Sequence, residues 1–295
     1  MISIVTAYYN RKKLLVRTLD SLKNNFEKID FEMVVVDDGS CEEERLEDLL
    51  NIYPFLRICR IEPENKWYTN PCIPFNIGFE MAHGDKIILQ NPECYHYGDI
   101  LEFVDKNLSE NHYLSFGCFS LDEENTDSEE LFFNKDNINR IIEKSSHTVL
   151  IDGGLGWYNH SKYRPVAYHF CSAIMAKDLV DLGGFDPRYA LGYGFDDDDL
   201  IYRIKLKGMK VKFIDQHIVL HQNHYIKPSS DIDEIPKYQN EKADRNKYIF
   251  DHITSTSYVY RANYLKIVSV NHTLSKQYLG KVISRISKFV RLLAK

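Results

Sequence analysis

The chain opens on Ile2-Ser3-Ile4-Val5-Thr6-Ala7, a short apolar run rich in β-branched residues, which predicts a buried strand. Asn10 follows as a candidate helix cap, and Leu14, Leu15, Thr18, Leu19 and Leu22 recur at the spacing of one helical face. Met33-Val34-Val35-Val36 is again continuously apolar, so this stretch predicts a β-α-β unit with parallel strands. Ser40 and Glu43 have the spacing of a capping box for a short helix, and Phe55 to Ile61 predicts a third strand. A further helix turns Phe75, Gly78, Phe79 and Ala82 inward, and Gly84-Asp85 leads into a strand from Lys86 to Gln90. Strands and helices in alternation predict an α/β fold with a doubly wound, mixed but mostly parallel sheet. Ligands of such sheets bind at the carboxyl ends of the strands, where Asp37-Asp38 and Gln90-Asn91-Pro92-Glu93 both fall.

The pattern loosens between Asn111 and Tyr168, with a strand predicted at Tyr113 to Phe119 and a loop at Gly153-Gly154-Leu155-Gly156-Trp157. Regularity returns with a strand at Phe170 to Ala176, a helix at Lys177 to Leu182 and its stop at Gly183-Gly184. After the acid run Asp196 to Asp199 comes a helix ending at Gly208, then a strand from Lys210 to Ile214. From about Ile226 the chain predicts a separate helical extension, which divides it into residues 1–225 and 226–295. In the last helix Leu279, Val282, Ile283, Ile286, Phe289, Val290 and Leu293 share a face, with Lys281, Arg285, Lys288, Arg291 and Lys295 mostly opposite. Two readings fit it: a helix lying on an anionic membrane, or one packed on the domain with its basic face in water.

A length of 295 residues suits one large domain with an appendage, and 44% hydrophobic with 27% charged residues is the balance of a folded protein rather than a disordered one. The formal charge of −6 argues against nucleic acid as a partner, since a phosphate-backbone binder needs a broad basic surface. Six scattered cysteines without a C-x-x-C spacing predict reduced, buried thiols. No segment reaches the roughly 18 apolar residues of a membrane span, and no charged leader precedes the first strand. These features predict a cytoplasmic location, with peripheral contact on the inner face of the cell membrane through the basic tail. The richness in Lys, Asn, Ile and Tyr points toward a bacterial surface polysaccharide pathway, capsule or lipopolysaccharide.

Four segments in order, Ile4-Val5-Thr6-Ala7-Tyr8-Tyr9-Asn10, Val34-Val35-Val36-Asp37-Asp38-Gly39-Ser40, Ala82-His83-Gly84-Asp85 and Gly194 to Arg203, resemble the family 2 glycosyltransferases. The resemblance covers roughly the first 220 residues and implies a GT-A fold. Gly183-Gly184-Phe185-Asp186, Gly192-Tyr193-Gly194-Phe195-Asp196-Asp197-Asp198-Asp199-Leu200 and His221 are also similar to the C-terminal region of animal β-1,4-galactosyltransferases. Together they imply an inverting transfer of a galactose-type or glucose-type sugar from UDP to a saccharide or lipid-linked acceptor. A sugar-nucleotide nucleotidyltransferase shares the fold but needs a Gly-rich basic loop early in the chain, and Thr6 to Asn10 contains no glycine. A non-catalytic, or catalytically weakened, sugar-nucleotide-binding protein of the same fold stays open as the alternative.

Such an enzyme needs a nucleobase pocket, countercharge for a diphosphate, and a base for the acceptor hydroxyl. Thr6, Ala7 and Tyr8 can frame the base with backbone groups. The resemblance gives Asp37 a hydrogen bond to the base or ribose and Asp38 a supporting role, although Asp-Asp-Gly-Ser also suits a plain turn. Where the family usually has Asp-x-Asp holding a divalent metal, this chain has Asn91-Pro92-Glu93, so Glu93 is left as the acid and Asn91 offers a carbonyl. His221 matches the metal-binding histidine of the galactosyltransferases in order, with His217 and His224 as competitors, and an imidazole in the site favours Mn²⁺ over Mg²⁺. Overlaying the pattern Glu-Asp-x-Asp-Leu puts Asp196 at the first acid, Asp197 at the catalytic base, and Asp199 and Arg203 at orienting positions. Plain solvation of an acidic helix start is the other reading of the run. Tyr193, Gly194 and Asp198 are candidates for the acceptor pocket. Trp157 is either a stacking platform for the acceptor on a mobile loop or a packed indole at a turn.

Overall fold

The N-terminal apolar run forms strand β1 (Ile2–Tyr8), followed by α1 (Lys12–Leu22), β2 (Phe31–Asp37), β3 (Leu56–Arg60), α2 (Cys72–Met81) and β4 (Lys86–Gln90). Then come β5 (Cys94–Tyr97), α3 (Ile100–Asn107), β6 (His112–Ser120), three short helices, α4 (Glu123–Asp127), α5 (Glu129–Phe133) and α6 (Lys135–Lys144), and β7 (Gly156–Asn159). The chain continues through β8 (Cys171–Met175), α7 (Ala176–Leu182), α8 (Asp196–Leu206), β9 (Lys210–His221) and α9 (Lys237–Thr256). This computed structural model describes residues 1–149, 153–224, 237–256 and 259–262. The amphipathic segment read from Leu279 to Leu293 lies outside the described residues, and no helix among them is long and apolar enough to cross a membrane.

The described strands make one nine-stranded sheet in the order β3-β2-β1-β4-β8-β6-β9-β5, with β7 added on β6. β1, β2, β3, β4, β6 and β9 run one way and β5, β7 and β8 the other, so the sheet is mixed and mostly parallel. Side chains of β1 alternate between two cores, as a strand covered on both faces requires. Ile2, Ile4 and Tyr8 join Leu15, Leu19 and Val104 under α1 and α3. Val5 joins Val34, Val36, Phe75 and Leu200 under α2 and α8.

Several local expectations are corrected. Asn10 does not cap α1: it sits at φ +46° and its Oδ1 accepts from Cys41 N (2.9 Å), while its own N donates to Ser40 Oγ (3.1 Å). The first turn of α1 is capped instead by Glu44, whose Oε2 accepts from Lys12 N at 2.6 Å. Ser40 is thereby engaged with β1's end, and the expected capping-box helix is replaced by a single 3₁₀ turn at Glu42–Glu44 without a side-chain cap. β9 does not stop at Ile214. Its polar Asp215-Gln216-His217 makes an irregularity against β6, and pairing resumes at Ile218 and reaches His221. Four of the six free cysteines are buried, but Cys41 is exposed and Cys59 half-buried.

Within the extension after residue 225, the described helix α9 docks on the sheet domain. Asn246, fully buried, donates from Nδ2 to Tyr189 O (3.0 Å) and Gly194 O (2.9 Å). A Cβ on Gly192 would fall 2.2 Å from Asn246 Oδ1, so this approach requires glycine there. At the opposite end of the sheet Gly84 donates to Ser3 Oγ (2.8 Å), and Ser3 Oγ donates to Glu32 (2.7 Å). A Cβ on Gly84 would lie 2.6 Å from Ser3 N, a backbone atom that cannot swing aside. Gly84→Ala is therefore expected to lower unfolding free energy by about 1–3 kcal/mol through overpacking, measured as a shift of the urea midpoint without change in slope.

Candidate functional site

The sheet's switch point lies between β1 and β4. Pairing of β1 with β2 continues to Tyr8–Asp37, but its pairing with β4 ends at Val5–Leu89. The even-numbered residues of β1 turn their backbone toward β2, as Ile2 N to Asp30 O and Asp38 N to Tyr8 O show, so past Val5 it is Ala7 that faces the β4 side without a ladder partner, at the carboxyl edge where open α/β sheets bind ligands. The Tyr8 ring itself is buried, its hydroxyl donates to Glu44, and its carbonyl accepts from Asp38 N (2.8 Å). Thr6 Oγ1 is buried without a partner among the described residues.

Asp37 and Asp38 extend β2 into this edge and are both held from behind. Asp37 accepts from Ser40 N (2.9 Å) on one oxygen and from Arg60 Nη1 (2.7 Å) on the other. Each carboxylate oxygen keeps a second lone pair beyond these bonds. Asp38 accepts from Tyr68 OH (2.5 Å) and Lys66 Nζ (2.6 Å). Burial pushes the Asp38 carboxyl above its usual range, against the bonds from Lys66 and Tyr68. Lys66 also lies over the exposed ring of Tyr9, 4.7 Å from its centroid, an aromatic of the first motif segment that was given no role.

Between β4 and β5, Glu93 and the end of β9 converge. His221 pairs with Cys94 in the sheet, which sets its ring against the neighbouring Glu93. Glu93 Oε1 meets His221 Nε2 and His224 Nε2, each at 3.1 Å, and Oε2 meets Arg11 Nη1 at 2.8 Å. The expected pair Glu93 and His221 is thus brought together, His224 joins it, and His217 lies elsewhere, with its ring beside Phe103. Gln222, fully buried, fixes the Glu93 backbone by donating from Nε2 to Glu93 O (2.9 Å), and its Oε1 accepts from Arg17 (2.8 Å). Burial opposes ionisation of Glu93, but Arg11 and the two histidines outweigh it and hold the carboxyl well below the usual range. Burial pushes the His221 imidazole down, which favours the neutral form a metal requires.

The ligand atoms of Glu93, His221 and His224 all lie within 4.8 Å of one another. Two imidazole nitrogens aimed at one carboxylate oxygen form a convergent N, N, O set, which fits a divalent transition ion. Asn91 is half-buried beside them; its backbone N donates to Phe170 O (3.2 Å).

The acid run forms the first turn of α8, entered through Phe195 at φ +65°. Its four carboxylates point to four different partners. Asp196, buried, accepts from Asn70 Nδ2 (2.8 Å). Asp197 Oδ1 accepts from His169 N (3.0 Å) and pairs with His169 Nδ1, while the side chain stays 26% exposed. No partner among the described residues bonds Oδ2. Asp198 accepts from Tyr168 OH (2.5 Å), and Asp199 pairs with buried Arg203 (2.6 Å), which also donates to Leu182 O and Gly184 O. Burial works against protonation of His169, but Asp197, then Asp196 and Glu93, raise its pKa above the ordinary value. Asp196 is pushed up to about 6 by burial and by the charge of Asp197.

Of the acceptor candidates, Tyr193 is 37% exposed and Gly194 borders open space, both on the loop clasped by α9. Asp198 is half-buried. Trp157 is corrected: it lies in β7, 5% exposed, packed on Phe119, Ile218 and Tyr163, with no face left for a sugar. The flanking glycines read as a loop, yet Trp157 falls on the strand pairing with β6. Arg11, His169 and Asn70 were not anticipated. Arg11 had a signal in its place directly after the strand-end motif, whereas Tyr168-His169-Phe170 and Thr69-Asn70 carry none.

Against this geometry, the model of glycosyl transferase family 2 matches residues 3–163, more than half of the chain. The chain belongs to glycosyl transferase family 2. The model described as the N-terminal domain of galactosyltransferase matches residues 137–225, overlapping it and running through the acid run to His224. Among solved structures, S. aureus TarS 1–349 in complex with UDP superposes with a TM-score of 0.52 at 16% identity, over 74% of this chain and 60% of that one. GalNAc-T7 with UDP, GalNAc and Mn²⁺ gives 0.51 at 15%, over 97% of this chain and 55% of that one. The family 2 chain thus has the GT-A fold and spans little more than half the length of these neighbours. No sequence relative matches among curated proteins.

Asp196 makes a testable statement about the site. Its raised pKa means stability from the protonated carboxyl is full below about pH 4 and is lost as pH rises through about 6. Asp196→Asn, which keeps an acceptor for Asn70, has no such loss. Between pH 5 and pH 7.5 the stability difference should move about 1 kcal/mol in favour of the variant, read from denaturation curves at both pH values.

Proposed function

We propose that this family 2 chain is an inverting glycosyltransferase that moves a galactose-type or glucose-type sugar from UDP to a hydroxyl of a saccharide or lipid-linked acceptor. The observation that carries the reading is the adjacency of its two halves. Asn91 N bonds Phe170 O, one residue from His169, so the Glu93 cluster and Asp197 border the same region. The charge of Glu93 reaches His169.

In this reading Asp197 Oδ2 takes the proton of the acceptor hydroxyl while that oxygen attacks the anomeric carbon from the face opposite the diphosphate. The bond from the anomeric carbon to the diphosphate oxygen breaks, UDP leaves with the electron pair, and the configuration inverts. His169 fixes Asp197 by holding Oδ1, and Asp199 with Arg203 fixes the start of α8. Thr6, Ala7, Tyr8, Asp37 and Asp38 receive the nucleoside, and Tyr193, Gly194 and Asp198 border the acceptor. Glu93, His221 and His224 would hold the divalent ion, which supplies countercharge for the leaving diphosphate; two imidazoles favour Mn²⁺ over Mg²⁺. GalNAc-T7, crystallised with UDP and Mn²⁺, supports that choice. A role in bacterial surface polysaccharide synthesis at the membrane's inner face fits the composition and the basic tail.

One observation favours a second reading, a weakened enzyme that only binds sugar nucleotides: Glu93 is the sole acid of the metal cluster and is already paired with Arg11. Hydrolysis of UDP-galactose or UDP-glucose in Mn²⁺ separates the two, since a binding protein releases no UDP.

For the transferase, Asp197→Asn should cut UDP release and sugar transfer by about 10²–10⁴-fold, the usual worth of a positioned base, while UDP affinity by calorimetry stays within twofold or so. Turnover equal to that of the parent would remove Asp197 from the base role.

A further inference from the structure

Arg11 stands at the start of α1, its Nε bonded to Tyr9 O (3.3 Å) and its Nη1 to Glu93 Oε2 (2.8 Å). The two oxygens of Glu93 are divided between different kinds of partner. Oε1 receives both imidazoles and Oε2 receives the guanidinium. A metal drawn to Oε1, His221 and His224 therefore meets a carboxylate whose charge is already cancelled. Arg11 keeps 26% of its side chain exposed while Glu93 is buried, so the cation lies at the mouth and the acid at the floor. The mouth is also the carboxyl edge of β1, where Tyr8 ends the strand.

We propose that Arg11 is a diphosphate-binding residue that makes metal binding conditional on the nucleotide: it repels the ion from an empty site and joins it in holding the diphosphate. This rests on the reading of a UDP-sugar site given above. The charges decide the matter. Glu93 and Arg11 cancel, so a divalent ion alone leaves about two net positive charges in a poorly solvated place, where like charges are costly. A nucleoside diphosphate brings about three negative charges and relieves that excess. Metal and UDP therefore tighten each other, and by linkage the factor is the same in both directions. A planar guanidinium also suits two phosphate oxygens at once.

The simpler possibility is that Arg11 only pins Glu93 in place, and it makes the opposite prediction for the metal. The full chain is titrated calorimetrically with MnCl₂ alone, with UDP in EDTA, and with each in the presence of the other. In Arg11→Gln, Mn²⁺ alone should bind roughly tenfold more tightly and UDP alone roughly tenfold more weakly, the scale of one partly screened charge. The factor by which each ligand tightens the other should shrink. Arg11→Lys, which keeps the charge, should retain the parent's order of affinities and its coupling. Weaker Mn²⁺ binding in Arg11→Gln, or no change in either affinity, overturns the proposal while leaving the UDP site standing. A parent chain that binds neither UDP nor Mn²⁺ overturns the functional reading and this inference with it.

Discussion

The antiparallel pairing of β4 with β8 is the constraint on which the site depends. It matches Gln90 with Cys171, and the next bond, Asn91 N to Phe170 O, carries the contact past both strand ends. Just outside the pair lie Pro92-Glu93 on one side and His169 on the other. β4 belongs to the doubly wound half and β8 opens the half that contains the acid run. The direction of the sheet reverses where they meet, so two stretches about eighty residues apart end at one edge. A slip of one residue would turn His169 to the other face of the sheet and separate Asp197 from the Glu93 cluster.

Around that edge the protein handles buried charge in separate ways, and the four consecutive acids illustrate why they are tolerable. On a helix, successive side chains are turned about 100° from one another, so Asp196, Asp197, Asp198 and Asp199 find Asn70, His169, Tyr168 and Arg203. Burial first, and then the charge of Asp197, fall on Asp196, a buried member whose partner is a neutral amide. That is the group pushed up to about 6. Asp199, with a buried guanidinium, is an architectural ion pair that ties α8 to Leu182 O and Gly184 O.

Much of the first half was legible because its strands are short, apolar and separated by helices of clear period. The runs at Ile2, Met33 and Lys86 became β1, β2 and β4, and both acidic strand ends fell at the switch edge. What escaped had specific causes. Asp215-Gln216-His217 reads as a turn but is accommodated within β9, because Asp215 is taken up by Ser161 N (3.1 Å) and pairing resumes beyond it. Trp157 sits among glycines, a context that suggests a loop, although its burial is decided by Phe119 and Ile218 from distant strands. Asn10 and Ser40 have capping chemistry, yet each satisfies the other's loop, a choice that depends on the two strand ends lying side by side. His169 has no local pattern at all; its place follows from the β4 and β8 register.

His169 also bears on how Asp197 would act under the proposed reaction. His169 meets Oδ1 of Asp197 through both its backbone N (3.0 Å) and its ring Nδ1. With Oδ1 committed to His169, the proton from the acceptor can be taken only on Oδ2, the oxygen without a partner among the described residues. As that proton arrives, Asp197 loses its negative charge and His169 loses the strongest of the acids that raise its pKa. Under the proposed reaction, proton uptake at Oδ2 would therefore weaken the hold of His169 on its imidazole proton.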